Sequence, residues 1–452
     1  MLTRLRAQNF KSWRDTGELE IAPLTGLFGT NSSGKTSILQ LLLMLKQTVE
    51  SPDRRRVLHF GDERSLVDLG TFYDVIYAHK ANESLGLSLS WNLRQPLQID
   101  NPETGKQLFQ IETLSFSASV RQQNDRLGMD WFAYRFDEYQ FGMKRRPEDD
   151  KEKDRYELVN EPYIAKRTLG RKWPLPAPVK CYGFPDEAVG YYQNTGFLPD
   201  FVLAFENLFS GITYLGPLRE YPKRSYVWAG ESPLDVGRRG ELAIPALLAS
   251  RSMGKISFGH RKRHRTVEEQ VGYRLKQMKL VDSFMLKPLG ENRKDYELCV
   301  ETRLGGPQVL ITDVGFGVSQ ILPVLVLCYY VPEGSIILLE QPEIHLHPSV
   351  QADLADVLID VVNNRNVQII VESHSEHLLR RLQRRIAEEE LAPEKAALYF
   401  CRIEGGESRI ERLQLDLFGD ITNWPEDFWA DEMADRAAQV EAMARRTGAG
   451  QR

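Results

Sequence analysis

Apolar and polar positions alternate through the opening segment LTRLRAQNFKSW (residues 2–13), and that period of two predicts a strand with one buried face. GELEIAPLTGLFG (17–29) then leads into a glycine-rich turn and an apolar-faced stretch from Lys35 to Leu45, so strand, loop and helix follow one another. Later segments read differently. Ser335–Leu339 (SIILL) and Val367–Val371 (VQIIV) are apolar without alternation, while Gly315–Tyr330 and Ser349–Val362 have the length and pattern of helices. Buried strands separated by helices predict a parallel sheet covered on both faces. Between these parts, Gln95 to Asp200 is rich in aromatic and charged residues, carries the run RRPEDDKEKDR (145–155) and the proline-studded KWPLPAPVKCYGFP (172–185), and reads as an inserted α+β subdomain. No repeat at a period of about 20 to 50 residues and no sustained heptad array is visible. The expected organisation is residues 1–94, an insertion at 95–204, a second core part at 205–415, and a C-terminal segment at 416–452 ending in an amphipathic helix.

Length and charge narrow the function classes. The 452 residues suffice for a large core, and 58 basic against 63 acidic residues leave a net charge of −5 with 42% hydrophobic content, which excludes disorder as the main state. No stretch approaches the roughly 18 to 20 apolar residues of a membrane span, and Met1–Trp13 carries Arg4, Arg6 and Lys11 without a following apolar run. Neither a membrane location nor export is expected. Cys181, Cys299, Cys328 and Cys401 lie far apart without a Cys-x-x-Cys pair, which fits a reducing, cytoplasmic setting. The acidic balance argues against a general nucleic-acid coat. The local cluster Lys255–Arg265 (KISFGHRKRHR) is a candidate DNA or RNA contact, with a solvated loop as the plainer reading.

Candidate chemistry begins at Gly29-Thr-Asn-Ser-Ser-Gly34-Lys35-Thr36, which fits G-x-x-x-x-G-K-[ST] between a strand and a helix. Gly29 and Gly34 let the backbone wrap, so that successive N–H groups and the helix N-terminus face a polyphosphate. Asn31, Ser32, Ser33 and Ser37 complete the expected nucleotide set, Lys35 supplies charge to the outer phosphates, and the Thr36 hydroxyl is a Mg²⁺ ligand. A phosphate loop needs a carboxylate at a neighbouring strand end, and SIILLE places Glu340 there; a mere cap of the next helix is the bland alternative. VQIIVESHS delivers His374 beyond another apolar strand, at the edge where open α/β sheets bind ligands. Asp313–Gln320 (DVGFGVSQ) is a glycine-rich helix start, with Gly317 in the turn, Ser319 as the expected N-cap and Pro323 near the tolerant first turn. His345, His347, His374 and His377 also have spacings that could share a transition metal.

The order of phosphate loop, Gly/Ser helix start, acidic strand end and histidine strand end resembles the ABC-type ATPase heads of the SMC, RecF and OLD proteins. LRAQNFKSW before GTNSSGKTS, then DVGFGVSQILPVL, LLEQPEIHLHP and IIVESHSEHLL, are similar to bacterial AAA-type ATPases of that branch, many of which occur in antiphage-defence systems. The resemblance spans residues 1–90 and 205–415 in rough outline. It implies a P-loop NTPase of ABC-type head architecture, split by the insertion, with ATP sandwiched between two protomers. Ser319 of one protomer would reach the γ-phosphate bound at Lys35 of the other, Glu340 and Thr36 would hold Mg²⁺, His374 would be the switch histidine, and Ile344–His347 would lie in the loop that communicates across the dimer. One position departs from the pattern. Most ABC ATPases have a glutamate after the metal acid, and here it is Gln341, which can orient a water but cannot take its proton, unless Glu343 assumes that role. Gln40 lies too near the phosphate loop to be the glutamine that usually contacts Mg²⁺. Tyr214–Arg219 (YLGPLR) and Val236–Glu241 (VGRRGE) match segments of the same branch, with Arg219 expected as an ion-pair partner.

The sequence therefore predicts an ATP-binding, slowly hydrolysing head acting as sensor or scaffold, a homodimer or higher homo-oligomer, with a separate nuclease or toxin effector docked on the insertion or on Phe418–Arg446, whose aromatics include Trp424, Phe428 and Trp429. The alternative is a nucleotide-gated assembly protein with little hydrolysis. A nuclease domain after the head is not expected: 452 − 374 leaves 78 residues beyond His374, short of the roughly 100 such a domain takes.

Overall fold

The computed structural model describes residues 1–101, 105–123, 126–146, 156–168, 174–259, 263–290, 293–425, 438–443 and 446. Along the chain, β1 (Leu2–Phe10), β2 (Trp13–Asp15) and β3 (Leu19–Glu20) precede β4 (Leu24–Gly29) and α1 (Lys35–Glu50). The short α2 (Phe72–Val75) is followed by β5 (Leu85–Asp100), β6 (Gln107–Gln123), β7 (Arg126–Phe136), β8 (Tyr139–Arg145) and β9 (Tyr156–Glu161), then α3 (Asp186–Gly190) and α4 (Leu198–Ser210). Next come β10 (Ile212–Leu215), β11 (Tyr226–Val227), α5 (Ala243–Ser250), α6 (Val267–Gln277), β12 (Ser283–Pro288), β13 (Asp295–Glu301) and β14 (Gln308–Leu310). The chain continues through α7 (Phe316–Tyr330), β15 (Ile336–Glu340), α8 (Pro348–Arg365), β16 (Gln368–Glu372), α9 (Glu376–Ala387), β17 (Ala396–Glu404) and β18 (Glu407–Leu413).

The central sheet has the order β10-β15-β16-β4-β17-β18, parallel except for the antiparallel edge strand β18. Its apolar strands lack alternation because both faces are buried. Ile336, Leu338 and Ile370 join the core beneath α1 and α4, whereas Ile337, Leu339, Ile369 and Val371 join the core beneath α5, α7 and α8. Successive side chains thus leave for opposite faces. α7, apolar on all sides, is correspondingly buried.

A second, antiparallel sheet runs β2-β1-β5-β6-β7-β8-β9, with β3 also paired to β1. Here the expected division at 94/95 meets a continuous strand. Arg94, Gln95 and Pro96 mark an irregularity in β5, where the register with β6 shifts between Asn92 and Leu97, and the strands on either side belong to one sheet. The 204/205 division likewise falls inside α4. Aromatic residues of this sheet and of α4, among them Phe116, Phe132, Tyr134, Phe141, Phe201 and Phe205, form one buried cluster. A small third sheet, β11-β13-β12 with β14 on β13, lies with α6 beside α5 and α7. Trp424 is described, whereas Phe428 and Trp429 lie outside the described residues, as do residues 260–262 of the basic cluster.

Candidate functional site

The loop from Gly29 to Thr36 leaves the carboxyl end of β4 and enters α1. Its two glycines are required by both shape and space. Gly29 (φ 129°) passes so close to β17 that a Cβ would lie 1.9 Å from the Cys401 carbonyl, and Gly34 (φ 91°) is boxed in by Ser12, Ser408 and Trp13. Trp13 Nε1 donates to the Gly34 carbonyl at 3.0 Å, and Ser408 bonds to Ser12 through backbone and hydroxyl. The loop is therefore held from outside by the β1–β2 and β17–β18 turns. No side chain caps α1 and its first turn carries no acid, so its N–H groups and positive dipole end are available to an anion. Thr30, Asn31 and Ser32 are exposed, while Ser33 and Ser37 are buried.

Lys35 folds back inside the loop. Its Nζ donates to the carbonyls of Thr30 (2.6 Å) and Gly29 (3.1 Å) and to Ser33 Oγ. Burial lowers its ammonium from the ordinary lysine value, with Glu372 the first of the negative groups opposing that shift.

The carboxylates come from adjacent strand ends. Glu340 accepts a 2.6 Å hydrogen bond from the Tyr214 hydroxyl at the end of β10, and burial raises its carboxyl above the usual range. In the sheet order β16 lies between β15 and β4, and Glu340 pairs in register with Glu372. Glu372 was not singled out in the sequence. It is 1% exposed, accepts the Thr36 hydroxyl at 2.9 Å through Oε1, and has no partner for Oε2 among the described residues. Burial and then the charge of Glu340 push it up to about 7, with Thr36, Lys35 and Gln341 pulling the other way. The signal was present: VESHS ends an apolar strand on an acid, as SIILLE does.

Gln341 follows at φ 43°, its N–H donating to the Glu372 carbonyl. Glu343 is buried, and its Oε1 accepts the His374 backbone N–H at 2.6 Å, fixing the turn after β16. Burial raises its carboxyl, against that hydrogen bond. The His374 side chain stands exposed at the rim. Partial burial and then the charge of Lys35 lower its imidazole from the ordinary histidine value.

Two expectations about α7 and one about Arg219 change. Gly315, not Ser319, is the N-cap of α7; Ser319 sits inside the helix, and its hydroxyl bonds back to the Phe316 carbonyl at 2.8 Å. Pro323 lies two turns in, packed against Gly240. Arg219, 7% exposed, has no ion pair among the described residues, and its Nε and Nη1 lack partners. Burial lowers its guanidinium to about 10 despite nearby Tyr214, Glu340 and Glu343.

The start of α7 meets the loop after β15: the rings of Phe316 and His345 are 5.4 Å apart, and Tyr221 packs on Phe316. Phe316, Tyr221 and Leu218 are all exposed. An added Cβ at Gly317 would meet open space. His347 caps α8 through Ser349. In the basic cluster, Lys255 pairs with Glu269 and Arg265 stacks on Tyr273 at 3.8 Å.

Residues 261–379 match the AAA ATPase domain family, a span that contains the α7 start, both strand-end acids and His374. Residues 391–439 match a family described as a protein of unknown function, DUF3696. No curated protein matches the chain. Among solved structures, the chain is similar to an SMC head bound to the C-winged helix domain of ScpA (11% identity, 92% of this chain and 98% of that one, TM-score 0.47). It is also similar to the SMC head domain from Thermotoga maritima (11%, 91% and 99%, TM-score 0.39). A third is an SMC head with an extended coiled coil bound to the C-terminal domain of ScpA derived from Pyrococcus furiosus (10%, 98% and 99%, TM-score 0.45). Among the described residues no helix is long and apolar enough to cross a membrane.

Proposed function

We propose, from an ATPase domain set on a P-loop fold of the ABC head type, that the chain binds ATP between two copies of itself and hydrolyses it slowly to drive a partner. The observation that carries this reading is the convergence at one sheet edge of an uncapped α1, Lys35, Thr36 and two strand-end acids. In this reading the loop N–H groups from Asn31 to Ser37 cradle the phosphates, and Lys35 exchanges its Thr30 and Gly29 carbonyls for the outer phosphate oxygens. Thr36 and Glu340 hold Mg²⁺, which supplies charge neutralisation at the phosphates. Gly317 and Ser319 sit at the start of α7, whose N-cap is a glycine with no side-chain bond and whose first turn has no acid, a suitable end for the phosphates of a second copy. The exposed Leu218, Tyr221 and Phe316 beside it supply apolar contact area for such a pairing.

Slow turnover is favoured by a specific feature: Gln341 holds the position after the metal acid, and the nearby Glu343 already accepts the His374 N–H. The same feature favours, as the second reading, a nucleotide-gated assembly protein. The motif resemblance further suggests a cytoplasmic sensor or scaffold in bacterial antiphage defence or DNA maintenance, with a separate nuclease or toxin effector. Phosphate release and mass with ATP and Mg²⁺ test the proposal. Wild type should release phosphate slowly and dimerise, Lys35→Ala should do neither, and Gln341→Glu should raise turnover by up to about 100-fold, as a restored base allows. ATP-dependent dimers without phosphate release would select the second reading.

A further inference from the structure

Glu372 is a buried acid that the reading above leaves unused. Strand ends in a parallel sheet are about 4.8 Å apart, and Glu340 and Glu372 are register partners on neighbouring strands. Their side chains leave on the same face. Ile336 and Leu338, four and two residues before Glu340, point into the core beneath α1, as does Ile370, two before Glu372. Both acids therefore aim at the side from which α1 brings Thr36, and the 2.9 Å bond from Thr36 Oγ1 to Glu372 Oε1 confirms it for Glu372. Glu372 is the nearer of the two to the phosphate loop, since β16 and not β15 adjoins β4.

Two carboxylates side by side, Glu372 buried and Glu340 half-buried, repel each other and attract a cation. The charges of Arg219 and Lys35 act on Glu340 and Glu372 respectively, but among the described residues neither acid is in an ion pair, and Lys35 is turned to the Gly29 and Thr30 carbonyls. Glu340 has the Tyr214 hydroxyl and Glu372 the Thr36 hydroxyl, but Glu372 Oε2 is buried with no partner among the described residues. A hydroxyl that donates its proton to a carboxylate keeps its lone pairs for a metal, so the Thr36–Glu372 bond orients Thr36 as a ligand. Hard oxygen donors of this kind suit Mg²⁺ or Mn²⁺. Among the described residues no group of three His, Cys, Asp or Glu forms a metal cluster, so an ion here must share its shell with phosphate oxygens and water.

We propose that the divalent cation accompanying the nucleotide is held by two carboxylates, Glu340 and Glu372, together with Thr36. This rests on the nucleotide reading of the loop and adds a ligand to it. The dicarboxylate makes nucleotide affinity unusually dependent on the divalent ion and accounts for a strand-end acid that is otherwise a cost to the fold.

The test measures binding of Mn²⁺ by electron paramagnetic resonance, with ADP and with a non-hydrolysable ATP analogue, for wild type, Glu372→Gln and Glu340→Gln. In parallel, nucleotide affinity is measured in EDTA and across a Mg²⁺ series. Glu372→Gln retains size and an oxygen for Thr36, so its melting temperature in EDTA should equal or exceed that of wild type. Each substitution should weaken Mn²⁺ binding to the nucleotide complex by about 10- to 100-fold and leave nucleotide affinity in EDTA unchanged. Unaltered Mn²⁺ binding in Glu372→Gln, with loss in Glu340→Gln, would overturn the second ligand. So would a loss of hydrolysis with metal affinity intact. Absence of nucleotide binding by wild type under any condition would instead overturn the reading of the loop itself.

Discussion

The aromatic body of the antiparallel sheet and the carboxyl edge of the parallel sheet are built from opposite materials. In the first, Phe116, Tyr134, Phe201 and Phe205 interlock, and the buried hydroxyls find acceptors: Tyr134 on the Tyr182 carbonyl, Tyr156 on the Met129 carbonyl and Tyr182 on Glu206. In the second, Arg219, Glu343 and Glu372 keep buried polar atoms without partners among the described residues, and Glu340 and Glu372 stand abreast. Buried polar groups are ordinarily paired; Trp91 Nε1 is an exception within the aromatic body, but the edge gathers Arg219, Glu343 and Glu372 in one place, which indicates a place arranged for something other than stability.

That contrast can be broken first where the effect is largest. Phe205 touches Trp91, Phe116, Tyr134, Tyr182 and Phe209, and Phe205→Ala should cost about 3–5 kcal/mol, read as a lower denaturant midpoint, while ATP affinity of the folded fraction is unchanged. A loss of ATP affinity would show that body and edge are energetically one. Lys35→Ala should do the reverse, weakening ATP binding by roughly 10- to 100-fold without lowering the melting temperature, because its partners are loop carbonyls. Gly317→Arg adds bulk where an extra Cβ meets open space. It should weaken ATP-dependent self-association by about tenfold or more, equivalent to about 1.4 kcal/mol, with ATP binding to the single copy intact; equal dimerisation by sedimentation would remove the composite site.

The same contrast explains what was legible beforehand. The glycine-rich loop after β4, α7, β15 and β16 are readable because each is a local pattern: a glycine spacing, an apolar helix, a buried run ending in a polar residue. Ser319 lies inside α7 rather than at its cap because Gly315 and Gly317 offer two turns from which a helix can start, and the structure begins it at Phe316. Glu372 stands out less in the sequence because its meaning lies in the strand order. Only the placement of β16 between β4 and β15 sets it against both Thr36 and Glu340. The break at Gln95 resembled a boundary because a register shift within a long strand also interrupts alternation.

The smallest and most discriminating change lies at Glu343. Its Oε1 receives the His374 N–H at 2.6 Å, and its other oxygen is buried without a partner among the described residues. Glutamine keeps an acceptor at that place and removes a carboxylate whose ionisation burial already opposes, so Glu343→Gln should change stability by less than about 1 kcal/mol. Alanine removes the acceptor and leaves the N–H orphaned, which should cost about 1–3 kcal/mol and loosen the turn carrying His374. If Glu343 anchors that turn, the glutamine variant hydrolyses ATP at the wild-type rate and the alanine variant does not, with its loss of activity matched by a lower melting temperature. If Glu343 takes the proton of the attacking water, the glutamine variant is stable and inactive, because an amide preserves the hydrogen bond but cannot accept a proton. The acceptor role seen at His374 leads us to expect the first outcome. Measuring turnover and melting temperature on the same two variants separates a residue that positions the edge from one that reacts at it.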